Sequence, residues 1–189
     1  MKRLSILILI AILPACGYND VIDRDEDVKA AWAEVENQYK RRADLIPNLV
    51  KTVKGSAAFE KDTLVGVVEA RSKISQMKIN KSIIDNPKNL QAFEKAQAGL
   101  GSALSRLMVV VERYPDLKAS QAFLSLQAQL EGTENRITVA RKRFIQSVAA
   151  YNKVVLRFPS SIGASLRGKS TRESFQGNPQ DANAPAVEF

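Results

Sequence analysis

The side chains able to do chemistry in this chain are carboxylates, lysines, serines, tyrosines and a single thiol, Cys16; histidine is absent. That absence removes the commonest general base and metal ligand at neutral pH. Glu131, Glu134, Asp44 and Asp116 are the carboxylates that could pair for proton transfer or hold a metal. The Glu-x-x-His motif with which helical bundles bind two irons is missing along with the histidines. There is also no phosphate-cradling Gly-rich loop, no GxGxxG after a strand and no GxSxG nucleophile elbow. Most of these carboxylates are expected to be helix-face ion pairs with neighbouring arginines, worth about a few tenths of a kcal/mol each. The chain reads as non-enzymatic, with no metal and no cofactor.

Cys16 follows a basic start (Lys2, Arg3), an uncharged apolar run from Leu4 to Leu13, and the tetrapeptide Leu13-Pro14-Ala15-Cys16. The run is shorter than the roughly 20 residues that a helix needs to cross a hydrocarbon core. A cleaved export signal over residues 1–15 is therefore expected. Small Ala15 directly before the cysteine resembles the lipobox of bacterial lipoproteins, in which the thiol is acylated, palmitate included, and becomes the new N-terminus. Pro14 is uncommon in that box, and an uncleaved amphiphilic anchor with Cys16 as a bystander is the second reading. Both end at a membrane. Gly17 after the cysteine, rather than Asp, leaves onward transfer to an outer membrane open. An acylated Cys16 would supply no thiol for catalysis, disulfides or zinc.

The chain carries 28 basic and 20 acidic residues, a formal charge of +8. A moderate positive excess favours anionic surfaces such as lipid headgroups. The bases alternate with acids, and no RNP-like, zinc-finger or basic-zipper pattern occurs, so nucleic acid is not an expected partner.

From Asp25 to Phe158 the sequence reads as helix, with few prolines or glycines and apolar residues at helical spacing. One seam runs Val28, Trp32, Val35, Tyr39, Arg42, Ile46, Leu49, Val53. A second runs Ala119, Phe123, Leu126, Leu130, Thr133, Ile137, Ala140, Phe144, Val148, Tyr151, Val155, Phe158. Steps of three and four alternate as in a heptad, and Trp32 and Tyr39 fall on core positions. Pro47 is expected to kink or interrupt the first helix, with Asn48 positioned to satisfy the carbonyl it frees. Gly55-Ser56 separates that helix from a second over about 57–79. Asp85-Asn86-Pro87 precedes a third over about 90–112, and Asp116 is the expected N-cap of a last helix reaching Phe158. Asn80-Lys81-Ser82 fits a glycosylation triplet by chance.

These elements predict an all-α fold, an antiparallel up-down-up-down four-helix bundle with long first and last helices. The expected organisation is a lipoprotein signal peptide (1–15), an anchor and tether (16–24), a helical bundle (25–159) and a disordered tail (160–189) with no apolar period. In that topology Trp32 faces the 149–155 end of the last helix and Val53 faces 123–126. The last helix returns to the anchored end, bringing Arg157, Arg167, Lys169 and Arg172 near the headgroups as a membrane-proximal basic cluster; a solvated helix end with a free tail is the alternative. Arg42 interrupts an apolar seam, and a core guanidinium is costly unless paired. Glu134 or Glu131 can reach it, and Gly132 would allow close backbone approach there. A register-fixing polar core of Arg42, Glu131 and Glu134, a ligand site, and a snorkelling arginine are the three readings.

The stretch Arg41-Arg42-Ala43-Asp44-Leu45-Ile46-Pro47-Asn48-Leu49-Val50, continuing Lys51-Thr52-Val53-Lys54-Gly55, resembles the signature of the LemA family of bacterial envelope proteins. So do Trp32-Ala33-Glu34-Val35-Glu36, Ala70-Arg71, Tyr114-Pro115-Asp116-Leu117-Lys118-Ala119, the segment Leu130 to Ile137, Ala140-Arg141, Tyr151-Asn152 and Phe158-Pro159. The match is colinear over about 18–159. It departs at Ser56, Phe59 and Phe144-Ile145, where the family pattern has an aromatic, a histidine and Tyr-Asn. The resemblance implies an antiparallel helical bundle outside the cytoplasmic membrane on an N-terminal anchor. It supplies no biochemical activity and points to membrane organisation or stress.

The reading that follows is an envelope lipoprotein, membrane-anchored and facing the periplasm or extracytoplasmic side, whose bundle is a scaffold or protein-interaction module. Membrane or envelope proteins and further copies of the chain are the expected partners. The alternatives are a ligand-binding or catalytic bundle using the Arg42/Glu134 region, and a peripheral module binding anionic lipid or cell-wall polymer.

Overall fold

A computed structural model describes residues 15–55, 60–77 and 83–175, with side chains from Asn19 onward in the first helix. Residues 1–14 of the expected signal peptide and the 176–189 part of the tail lie outside the described residues, as do Ser56, Phe59, the Asn80-Lys81-Ser82 triplet and the side chain of Cys16. Among the described residues there are six helices and no strand. They are α1 (Ala15–Lys54), α2 (Lys61–Gln76), α3 (Pro87–Val111), α4 (Pro115–Lys118), α5 (Gln121–Leu156) and α6 (Ser160–Leu166). None of them is long and apolar enough to cross a membrane.

Local chemistry explains the boundaries. Pro87 opens α3 at a position whose N–H needs no partner, and the Asn86 side chain accepts from Lys88 N at 3.0 Å. The last long helix does not begin at Asp116. Pro115 nucleates a single turn, which closes with Ala119 N donating to Pro115 O, and Ser120 then caps α5 by accepting from Phe123 N at 3.2 Å. The break turns Leu117 into the core, at 6% exposure, where a straight helix could not place it.

Pro47 does not interrupt α1, which runs unbroken for 40 residues. A proline at 47 withholds the donor that Ala43 O would accept. Arg71 of α2 supplies it instead, its Nε donating to Ala43 O at 3.1 Å. The expected satisfier, Asn48, is not the one used.

The long helices α1 and α5 lie antiparallel along each other, with partners in reversed order: Glu34 with Arg143, Tyr39 with Arg141, Arg42 with Glu134. Helix α2 packs chiefly on α3. All eight residues of the first seam are buried. The second seam is buried from Phe123 to Val155, but Ala119 and Phe158 at its ends are exposed. Trp32 is level with Phe144, their rings 5.4 Å apart, and not with the 149–155 end. The shift brings Asp25 to the level of the last turns of α5.

The core divides in two. One half gathers Val21, Val28, Trp32, Tyr39, Phe93, Phe144 and Tyr151; the other gathers Ile46, Leu49, Leu64, Val67, Leu100, Leu107 and Phe123. Arg42, Gln97 and Thr133 are buried between them.

The segment 160–175 is not disordered. After α6 the chain turns at Gly168 (φ 63°) and runs back along the bundle as an arm, burying Phe175 to 6% exposure against Trp32 and Phe144. Composition missed this because the ordering comes from helix side chains that grip the arm. The Asn152 amide donates to Arg172 O and accepts from Arg172 N, both at 2.8 Å, and Tyr151 OH donates to Ser170 O at 3.1 Å.

Candidate functional site

Among the described residues four polar or charged ones are buried, and all four occupy seam positions: Asp25 and Arg42 on α1, Gln97 on α3 and Thr133 on α5. A buried polar group costs stability unless it is hydrogen-bonded, so each needs a local account. Thr133 satisfies itself, donating to Gln129 O one turn back at 2.7 Å.

Arg42 is 4% exposed. Its Nη1 donates to Glu134 Oε2 at 2.9 Å, and its Nη2 donates to the backbone and side-chain oxygens of Gln97. Its guanidinium carbon stands 5.0 Å from the centre of the Tyr39 ring, close enough for cation–π attraction. Beside it Arg141 donates from Nη1 to Tyr39 OH at 3.1 Å and from Nη2 to Glu94 Oε1 at 3.3 Å. Burial raises the pKa of Glu94, with Arg141 pulling the other way. Arg141 also lies 4.1 Å over the Phe175 ring, so this cluster touches the arm. A small cavity of about 150 Å³ opens among these residues. Arg42 Nε and Gln97 Nε2 are buried there without a protein partner.

Of the residues singled out by sequence, Arg42 and Glu134 are brought together and Glu131 is not. Glu131 is exposed and accepts from Gln127 at 3.0 Å on the outer face. Glu134 is itself 57% exposed, so its carboxylate reaches in from the rim. Gly132 makes no close approach between helices: a Cβ there would meet only the Arg136 side chain, at 3.6 Å. Asp44 and Asp116 join no carboxylate cluster, and no group of three potential metal ligands exists among the described residues.

The expected basic cluster is also rearranged. Lys169 Nζ lies 3.0 Å from Asp25 Oδ2, and Arg172 Nη2 bridges Asp25 Oδ1 and Asp85 Oδ1, each at 2.9 Å. Lys29 Nζ adds a third cation 2.9 Å from Asp25. Burial alone would raise the Asp25 pKa, but hydrogen bonds from Lys29 and Lys169 and the charge of Arg172 outweigh it and hold the carboxyl below its ordinary value. Two of the four expected headgroup cations are thus turned inward onto a buried aspartate, because ordering the arm brings them there. Arg157 and Arg167 remain on the exposed side.

The sequence held a signal for the missed residues. Asp25 falls between Val21 and Val28, and Gln97 between Phe93 and Leu100, each at the same three-and-four spacing as Arg42 between Tyr39 and Ile46. Asn152, Glu94 and Arg141 carry no such signal, since their roles depend on the arm and on the third helix.

The LemA family model matches residues 31–189. The magnetosome protein MamQ of Magnetospirillum gryphiswaldense is 29% identical over 198 aligned positions, covering 95% of this chain and 72% of that protein. MamQ 2 of Paramagnetospirillum magneticum is 28% identical, over 93% of this chain and 70% of its own. Protein LemA of Metamycoplasma hominis is 24% identical, over 74% and 60%. With the family model spanning most of its length, this chain belongs to the LemA family.

Proposed function

We propose that this LemA-family chain is an envelope lipoprotein, cleaved before Cys16 and acylated there, that displays its bundle on the extracytoplasmic side. Its four longer helices act as an up-down-up-down bundle, a non-enzymatic scaffold for membrane or envelope proteins or for neighbouring copies. The observation that carries this reading is α1. It is helical from the first described residue, Ala15, one residue before Cys16, and continues without interruption to Lys54 through the whole core. Whatever holds Cys16 therefore holds the entire bundle as a rigid body.

Feeding cells an alkyne analogue of palmitate tests the anchor. Label is expected on the full chain and lost in Cys16→Ser, which should also leave the membrane fraction. An unlabelled protein that stays in the membrane regardless would replace acylation by the uncleaved anchor. For the scaffold, cross-linking and co-purification of the intact protein from membranes should recover partner chains. Recovering none, but an unexplained small molecule held in the bundle, would favour the second reading. That reading, a ligand site at Arg42/Glu134, is supported by the polar cavity and its two unpaired donors, Arg42 Nε and Gln97 Nε2.

A further inference from the structure

Helix α6 is built inside out. Its small residues Gly163 and Ala164 are buried, while its large apolar residues Ile162 and Leu166 are 47% and 77% exposed. Phe158, one turn earlier, and Leu156, at the end of α5, are each 70% exposed. Ile162 and Leu166 stand four residues apart in α6 and so share one face of it, and Phe158 lies in the bend that leads into that helix. Four of the ten large apolar side chains that stand exposed among the described residues fall in this one turn. Scattered exposed apolar residues are ordinary, but a contiguous cluster marks a surface that meets something.

The position of the turn says what it meets. Ala164 packs in the same half of the core as Val21 of α1. Cys16 precedes Val21 by five residues, about 8 Å along a helix that rises 1.5 Å per residue. The apolar run Leu4–Leu13 leads straight into that end. Acylated at Cys16 or anchored through the run itself, the chain meets hydrocarbon here. The polar headgroup region on each side of a bilayer is itself about 5–8 Å thick, so the turn stands at its level. The exposed cations Lys153 and Arg157 flank Leu156 along the chain, as expected beside anionic phosphates.

We propose that the 156–166 turn is a second membrane contact, in which Leu156, Phe158, Ile162 and Leu166 enter the boundary between headgroups and acyl chains of an anionic bilayer. The proposal rests on the anchored reading above and adds orientation to it. A tether at one point lets a rigid bundle swivel, whereas an anchor plus an inserted apolar patch fixes its tilt. The arm that follows α6 is then fixed against the membrane at one end and against Asp25 at the other.

The test uses the full chain reconstituted into phosphatidylglycerol–phosphatidylethanolamine vesicles containing brominated lipid. Phe158→Trp places a reporter in the patch, and Val109→Trp, 71% exposed at the opposite end of the bundle, serves as control. The native Trp32 is buried, and its signal is subtracted using the unmodified chain. The Phe158→Trp reporter is expected to shift blue and lose at least half its emission to bromine, while the Val109→Trp reporter stays unchanged. Adding Ile162→Ser and Leu166→Ser should abolish that quenching. If the protein floats with the vesicles and the Phe158→Trp reporter is unquenched and water-exposed, the patch proposal is overturned and the anchor stands. A blue shift without quenching means that protein covers the patch, which also overturns it. If the chain does not float with vesicles at all, the anchored reading fails first and takes the proposal with it.

Discussion

On one side of the Arg42–Gln97–Thr133 layer the core is aromatic, built on Trp32, Tyr39, Phe93, Phe144, Tyr151 and Phe175. On the other it is mainly aliphatic, with Ile46, Leu49, Leu64, Val67, Leu100, Leu107 and Leu130 around Phe123. The two halves are closed differently. All three buried residues of α2 (Leu64, Val67, Ile74) belong to the aliphatic half, where that helix covers α1 and α3. Helix α2 is only 16 residues long against 25 in α3, and toward the aromatic half it runs out. There the arm and Phe175 supply the missing cover, held by the Asp25 ion pairs and by Asn152. A helix closes its half through periodic apolar contacts. An extended arm has no such period and needs specific polar clamps. The difference explains why a buried aspartate sits at one end of the seam and none at the other.

The largest expected effect tests whether the aromatic half is the more demanding one. Trp32 is 1% exposed and contacts Phe93, Phe144 and Phe175. Trp32→Ala should lower stability by about 4 kcal/mol and Leu100→Ala by about 3, measured by urea unfolding of the folded chain. Trp32→Phe should cost much less, because the indole N–H has no partner to lose. Equal losses at Trp32 and Leu100, with no change in arm proteolysis, would show that the arm does not depend on the aromatic stack.

Next comes the clamp. Asp25→Ala takes the carboxylate from Lys169 and leaves Arg172 only its exposed partner Asp85, and removing one partner of a buried pair leaves the other under-compensated. About 2–3 kcal/mol should be lost, with cleavage by trypsin appearing first in the arm. The pH dependence has opposite signs in the two polar clusters. The lowered pKa of Asp25 gives stability that is present above its unfolded value of 3.8 and lost as pH falls through the folded value. The raised pKa of Glu94 gives stability that is present below its unfolded value of 4.5 and lost as pH rises through the folded one. Asp25→Asn should therefore flatten the acid limb of the stability profile, and Glu94→Gln the limb just above it. A profile unchanged by Asp25→Asn would rule out the clamp as the acid-sensitive element.

A smaller effect concerns the layer between the halves. Arg42→Met would join the two apolar cores but strand the Gln97 side chain. A loss of about 1–2 kcal/mol is expected, with less than 1 for Glu134→Gln because Glu134 is more than half exposed. Measured singly and together, the two should depart from additivity by about 0.5 kcal/mol. Strict additivity would mean that the contact contributes nothing to stability.

The helical seams were legible because burial on a long helix imposes a spacing that any reader of the chain can count. Arg42 was legible for the same reason, as a break in that spacing. Asp25 and Gln97 broke the pattern equally and went unread, being single polar residues at seam positions among many acids and amides. The arm was illegible in principle from composition, since Ser, Gly and Arg acquire order there only through Asn152, Tyr151 and Asp25 on other elements. The α4 break turned on a competition between caps. Asp116 stands in a plausible place, but Ser120 captures the Phe123 N–H and frees Leu117 to turn inward.

The smallest expected effect falls on α1, which with α3 and α5 runs through both halves. Pro47 lies in α1 on the aliphatic side of the layer, and its missing donor leaves Ala43 O to Arg71 Nε. An isolated bond of this kind, from a charged donor to a half-buried carbonyl, contributes about 1 kcal/mol. Pro47→Ala returns a backbone N–H to the ladder, so Arg71 becomes redundant for that carbonyl. Arg71→Ala should cost about 1 kcal/mol in the native background and only a few tenths in the Pro47→Ala background. The same loss in both would mean that Arg71 stabilises α2 by its alkyl packing alone. If the cost shrinks, the proline and the arginine form one device that joins α2 to α1 where the aliphatic half is closed by helix rather than by arm.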